Sequence, residues 1–364
     1  MFKRCLKLAT VIQKKFCDLV GETEFYSPLP QKEQQVSADN TVTTFKRFEV
    51  EETDFLDKED YEEDEKKLEN EIVWVNVVIF SVLHIAALYG GCLLLFSAKW
   101  QTVVFTYFLS VVGGVLGIAA GAHRLWSHRS YKAKLPLRVL LMIANTLAWQ
   151  NSLYEWARDH RVHHKFGETN ADPHNSRRGF FFSHVGWLLV KKHPDVKAKG
   201  SMLDMSDLLA DPVIRFQKQY YTPLAMIFCF ILPTVVPAIC WDESYWVAFF
   251  GPAIGRLVFT LNATWMINSF AHMWGNKPYD KYIAPTESKL VTFFTLGEGW
   301  HNYHHTFPQD YRSGELGGTR ANLTTLLIDF FFLLGQVYDR KTVSDEHVLK
   351  RSKRTGDGSH APVK

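Results

Sequence analysis

The stretch Thr102–His128, TVVFTYFLSVVGGVLGIAAGAHRLWSH, decides the fold. From Thr102 to Gly121 it carries no charge, and a helix of about 20 residues rises about 30 Å, the thickness of a bilayer's hydrocarbon core. It then runs directly into His123, Arg124 and His128. Three further apolar stretches have similar length: Ile72 to Phe96, Thr222 to Cys240 and Tyr245 to Ile267. Buried helices of soluble proteins seldom run so far without a charge. Trp100, Trp241 and Trp246 also sit at the ends of these stretches, where interfacial aromatics belong. Arg256, inside the fourth stretch, is expected to face protein or water rather than lipid. The expected fold class is therefore an all-α integral membrane protein with four transmembrane helices and a helical cap on the cytosolic side.

The loops set the orientation. Lys99 is the only charged residue between the first two spans, and Asp242 and Glu243 lie between the last two, whereas residues 122–221 hold 16 Lys and Arg. More bases follow the fourth span, among them Arg340, Lys341, Lys350, Arg351, Lys353 and Arg354. Positive charge stays inside, which places both termini and the long loop in the cytosol and suggests the endoplasmic reticulum membrane. Two shorter apolar runs, Val139 to Trp149 and Leu323 to Val337, are expected to lie at the interface or beneath the bundle.

Average composition conceals this design, since mean hydropathy is −0.11 with 22% charged residues. Residues 49–71 hold 13 acids against 3 bases, leaving 38 bases and 25 acids elsewhere. The chain thus divides into a disordered acidic N-terminal tail (1–71), a membrane domain with its cap (72–340) and a basic C-terminal tail (341–364). Its five cysteines form no CxxC pair and lie away from the histidine groups, which argues against a disulfide framework or thiolate metal site. No nucleic-acid partner is expected; membrane lipid is.

Nine of the 15 histidines fall in four short groups: His123 and His128; His160, His163 and His164; His272; and His301, His304 and His305. Residues three or four apart share a helix face, so the second and fourth groups each present a pincer, expected to serve one centre apiece. His123 and His128, five apart, subtend a wider angle unless the helix loosens there. All nine reach the same side of the membrane on the topology above. Nine imidazoles exceed the four ligands of zinc or the usual six of iron, so two ions are implied. Imidazole suits iron, copper, nickel and zinc alike. A zinc hydrolase would carry an HExxH-type general base, and the chain has none.

The runs GAHRLWSH, EWARDHRVHHKFGETNADPHNSRRGFFFSHVGWLL, NATWMINSFAH and GEGWHNYHHTFP resemble the membrane acyl-CoA delta-9 desaturases, the stearoyl-CoA desaturases of animals. The likeness runs from about Ile72 to the C-terminal KRTGDGSH. It implies two Fe2+ ions on all nine histidines, with Asn268 holding a water on one of them. It implies a cis double bond between C9 and C10 of a saturated acyl-CoA, with O2 as co-substrate and electrons from cytochrome b5 and its reductase. No protein nucleophile or general acid is implied.

The same resemblance implies CoA contacts from Arg158, Asp159, Lys191 and Lys192, consistent with the cations a phosphate-bearing head group needs. It implies polar contacts nearer the thioester from Asn76 and Asn151, and a bend in the acyl tunnel shaped by Gln150, Trp156, Thr264 and Trp265. The far wall of that tunnel maps to Val111 and Val115, where the mammalian enzymes carry an aromatic residue and a small one. The nearest rival on this scaffold is desaturation at another carbon or lipid hydroxylation. A metal transporter would place polar residues inside the spans instead.

Overall fold

The structure is a computed structural model and describes residues 71–315 and 322–360. The proposed acidic tail, apart from Glu71, lies outside the described residues. Helix α1 (Trp74–Phe96) is largely exposed along its length and presents its apolar side chains outward. Helix α2 (Trp100–Ser127) follows after one turn and is α-helical to Val111, then π-helical from Val112 to Ser127. The wide winding is visible in its bonds: His128 N–H donates to the His123 carbonyl, five residues back, at 3.0 Å. The looser helix that the spacing of His123 and His128 allows is therefore what forms.

A short strand β1 (Lys132–Ala133) leads into α3 (Leu135–Ala148), which packs along α2. Gly117 permits this: a Cβ there would lie 2.3 Å from the Ala144 carbonyl carbon. Tyr131, Leu137, Leu141 and Met142 join Ala120 and Leu125 in the main core cluster. Helix α4 (Leu153–Phe166) starts on a capping box, with Ser152 Oγ accepting from Glu155 N–H and Glu155 Oε2 accepting from Ser152 N–H. Short elements follow, including α5 (Phe180–His184).

Helices α6 (Tyr221–Trp241) and α7 (Tyr245–Met273) complete four membrane-spanning helices. Both α2 and α7 run a turn or more beyond the bounds expected from hydropathy, because their histidine-bearing ends are buried in protein. Arg256 on α7 is 1% exposed and faces protein, donating to the carbonyls of Pro252, Leu147 and Cys229. Carbonyls from π-helical turns in α6 (Met226–Ile231) and α7 (Phe249–Gly255) and from the end of α3 thus take up a charge that lipid could not.

The remaining cap holds α8 (Lys289–Thr295), α9 (His301–Thr306) and α10 (Leu323–Leu333). Strand β2 (Val337–Tyr338) pairs antiparallel with β1, a small addition to an otherwise helical protein. The segment read from sequence as a basic tail carries α11 (Asp345–Thr355), which packs back through buried Val348 and Ser352. Ser352 Oγ donates to the Pro278 carbonyl at 2.8 Å, and Arg351 pairs with Asp280.

Candidate metal centre

Four elements bring the nine histidines together on one side of the bundle: the end of α2, α4, the end of α7, and α9. They form two sets. His123, His128, His160, His164 and His304 make one; His163, His272, His301 and His305 make the other; within each, the ligand atoms lie within 4.8 Å of one another. The expectation that each HxxHH group serves a single centre needs correcting. On α4, His160 and His164 point to the first set and His163 to the second; on α9, His301 and His305 point to the second and His304 to the first. Residues i and i+4 lie about 40° apart around a helix, whereas i+3 falls on the other side of residue i. One short helix can therefore reach both centres.

The Nε2 atoms converge. His128 and His160 stand 2.8 Å apart, His304 is 3.0 Å from both His123 and His164, His272 is 3.0 Å from His301, and His305 is 3.1 Å from His301. Neighbouring ligands about 2.1 Å from a shared ion are about 3.0 Å apart on an octahedron and about 3.4 Å on a tetrahedron, so the spacing fits the octahedral case. The nitrogens of His304 and His301 each face two others. A ring nitrogen offers one proton or one lone pair, so hydrogen bonding alone cannot satisfy both contacts, whereas a cation can.

Burial, and then mutual repulsion among the rings, holds His160, His164, His301, His304 and His305 well below the usual imidazole range. Burial and Arg161 bring His128 down to about 3. These rings are neutral and their lone pairs are available. For His163, burial opposes charge, but Asp172 outweighs it and raises the pKa.

Carboxylates stand behind the rings. Asp172 Oδ1 lies 2.9 Å from His163 Nδ1, and Glu168 Oε1 lies 2.8 Å from His272 Nδ1. Such partners fix the tautomer so that Nε2 faces the ion. Behind the first set, Glu298 Oε2 is 3.9 Å from His123 Nδ1, while its Oε1 accepts from the buried Arg124 at 2.6 Å. Glu168, Asp172 and Glu298 escaped the sequence reading, as did His174, whose ring packs on His163. The available signal was their position: the GETNADPH run begins three residues after His164, and Glu298 precedes His301 by one turn.

Beside the histidines lies a cavity of ≈ 370 Å³, which runs between α2 and α7. Val111, Val115, Trp156, Thr264 and Asn268 all line it. Gln150 stands behind that wall, donating to Thr264 Oγ1 at 2.9 Å and accepting from Trp156 Nε1 at 3.3 Å. Trp265 does not line it; it is buried against Phe80 in a neighbouring cluster. Asp159 binds Arg158 at 2.8 Å and Lys192 at 2.7 Å, and those cations outweigh burial to hold its carboxyl at about 2. Lys191 is exposed beside them. Asn76 is committed to the Leu188 carbonyl at 2.7 Å, and Asn151 is exposed in a left-handed turn, φ 66°.

The fatty acid desaturase family model matches residues 98–313, which include all nine histidines. The chain belongs to the fatty acid desaturase family. Membership makes it a desaturase-type oxidoreductase of the membrane. Among its desaturase relatives, an acyl-CoA Delta-9 desaturase of Acheta domesticus is 60% identical over 290 residues, covering 80% of each chain. A stearoyl-CoA desaturase of Sus scrofa is 56% identical, again over 80% of each chain. An acyl-CoA Delta(11) desaturase of Trichoplusia ni is 55% identical, over 80% of this chain and 83% of that one.

Proposed function

We propose that this protein inserts a cis double bond between C9 and C10 of a saturated acyl-CoA such as palmitoyl- or stearoyl-CoA. One O2, two electrons and two protons are consumed with the two substrate hydrogens, giving two waters. Cytochrome b5 and its reductase are the proposed electron source, and the endoplasmic reticulum membrane, with both termini cytosolic, the proposed location. The observation that carries the reading is that both histidine sets adjoin one apolar cavity, contributing His123, His160, His163, His301 and His304 to its lining. A hydrocarbon chain laid in it would pass directly beneath both sets.

Octahedral spacing, neutral nitrogen donors and carboxylate-backed rings fit two Fe2+ ions, which when bound would supply oxygen activation and hydrogen removal. The nine histidines would hold them, with Asn268 near enough to the cavity to hold a water. The chain's own side chains do the rest. Arg158, Lys191 and Lys192 meet the phosphates of CoA, with Asp159 ordering Arg158 and Lys192. Gln150, Trp156 and Thr264 fix the course of the acyl chain. The apolar walls exclude water, so a reactive centre meets only the methylenes placed under it.

The Delta(11) desaturase among the relatives favours a second reading, in which the same chemistry falls two carbons further along the chain. Expression in a desaturase-deficient yeast, with double-bond position read by gas chromatography and mass spectrometry, separates the two. Products unsaturated at C9 support the proposal; products at C11 replace it with the second reading, and hydroxylated lipids overturn both.

A further inference from the structure

The cavity does not stop at Val111 and Val115. Tyr107 and Ser110 on α2 and Phe259 on α7 line it as well, deeper from the histidines. The Ser110 hydroxyl donates to the Thr106 carbonyl of its own helix at 2.9 Å, so it presents no free donor to the cavity. With Val111, Gly114 and Ala263 this deep end is apolar and carries no charge. Tyr107 and Phe259 have a second property. They are 60% and 49% exposed while lining the cavity, so each has its other side on the outer surface of a membrane-spanning helix. The floor is one side chain thick, with the bilayer beyond it.

Depth along α2 can be compared with the length of a chain. At 1.5 Å per residue, Val115 lies at most about 12 Å and Tyr107 at most about 24 Å from His123, the π-helical winding making both somewhat shorter. With C9 and C10 under the histidines, the eight carbons beyond C10 of an 18-carbon chain extend about 10 Å, given zigzag bonds of about 1.5 Å. The methyl end of such a chain stands near Val115, and two helical turns of apolar cavity remain. Each added pair of carbons uses about 2.5 Å of this depth.

We propose that the site takes saturated acyl chains of twenty carbons or more as well as stearoyl, and that Tyr107 and Phe259 are the specificity-determining floor. This rests on the delta-9 acyl-CoA reading above. The test supplies the full-length protein and its electron donors with 16:0, 18:0, 20:0 and 22:0 acyl-CoA at equal concentration. The expected kcat/KM for 20:0 is at least about one fifth of that for 18:0, since added methylenes meet open apolar space rather than a wall. Val111→Tyr, which rebuilds a wall one turn nearer the histidines, is expected to lower the ratio of 20- to 18-carbon products about tenfold. Tyr107→Ala, a truncation on the lipid-facing side, raises the share of 22-carbon product about threefold and serves if the tyrosine variant folds poorly. Turnover of 18:0 with 20:0 below about one fifth, or unchanged product ratios in both variants, overturns this inference alone. Turnover of no acyl-CoA at all overturns the activity reading, and this inference with it.

Discussion

Asp172→Asn isolates one of the two metal sets. The Asp172 side chain is fully buried and accepts three hydrogen bonds: from His163 Nδ1 at 2.9 Å and His174 N–H at 3.1 Å on Oδ1, and from Glu168 N–H at 3.0 Å on Oδ2. Asparagine keeps the shape but turns one acceptor into a donor. Its less costly orientation keeps the oxygen toward His163 and His174, and sets an NH2 against the Glu168 N–H. The Glu168 N–H loses its acceptor and the new NH2 faces it unpaired, at about 1–3 kcal/mol for each donor left without a partner, or about one to two powers of ten in an equilibrium constant apiece. Losing a carboxylate partner behind a ligand is worth a similar 10- to 100-fold in metal affinity. The first set has no bond to Asp172, so only the second should weaken. Dialysis of the purified protein against graded chelator, with iron counted per chain, should show two ions falling toward one at chelator levels the parent protein tolerates. Glu168→Gln, acting through His272, should do the same. Resistance equal to the parent's, or loss of both ions in step, refutes the assignment of Asp172 to one set.

Four further outcomes are expected. His164→Ala, which removes a ligand from the first set, should insert normally and retain less than about a tenth of desaturase activity in a product assay; greater retention counts against its role. Val115→Phe fills the cavity from a residue only 3% exposed. At about 0.8 kcal/mol per methylene, excluding two methylenes should shift the ratio of 16- to 18-carbon products roughly tenfold, and an unchanged ratio in a well-expressed protein sinks the idea. Tags at both termini should be cut by protease in intact microsomes while one beside Asp242 is protected; opposite fates for the termini would contradict an even number of spans. Glu243 accepts from Thr102 Oγ1 at 2.6 Å and from Lys99 N–H at 2.9 Å, and these bonds outweigh burial to hold its pKa below the carboxylate range. Its contribution is present above an unfolded pKa of about 4.3 and is lost as pH falls below it. Thermal melts in detergent should show Glu243→Gln less stable near neutrality, with the gap to the parent closing toward pH 3.

The spans were legible because a bilayer demands length and apolarity together, and no soluble constraint mimics that over 20 residues. Eight of the nine histidines were legible because their 3-, 4- and 5-residue spacings project from helices; His272, which stands alone, was placed by the family resemblance. How they divide between two centres was not legible. The HxxHH spacing permits either one centre or a split of i and i+4 from i+3, and which of these occurs is decided by how α4 and α9 pack around the centres, which spacing does not encode. Asp172 and Glu168 were hidden for a related reason: a carboxylate in a loop looks like any solvated acid until the turn at Glu168, φ 63°, folds it back. The C-terminal segment misled through its charge. Arg351 and Lys353 suggest a solvated tail, but Val348 and Ser352, one turn apart, form the face that the cap buries.

Both histidine sets draw on α9, the first through His304 and the second through His301 and His305. Neither can therefore close on an ion until synthesis has passed residue 305, after all four membrane helices have been made. A chain truncated before α9 would keep four imidazoles of the first set but only two of the second, and would hold metal poorly. Metal retention would then report on completed assembly: a chain that keeps both ions would have both ends of its membrane domain in place.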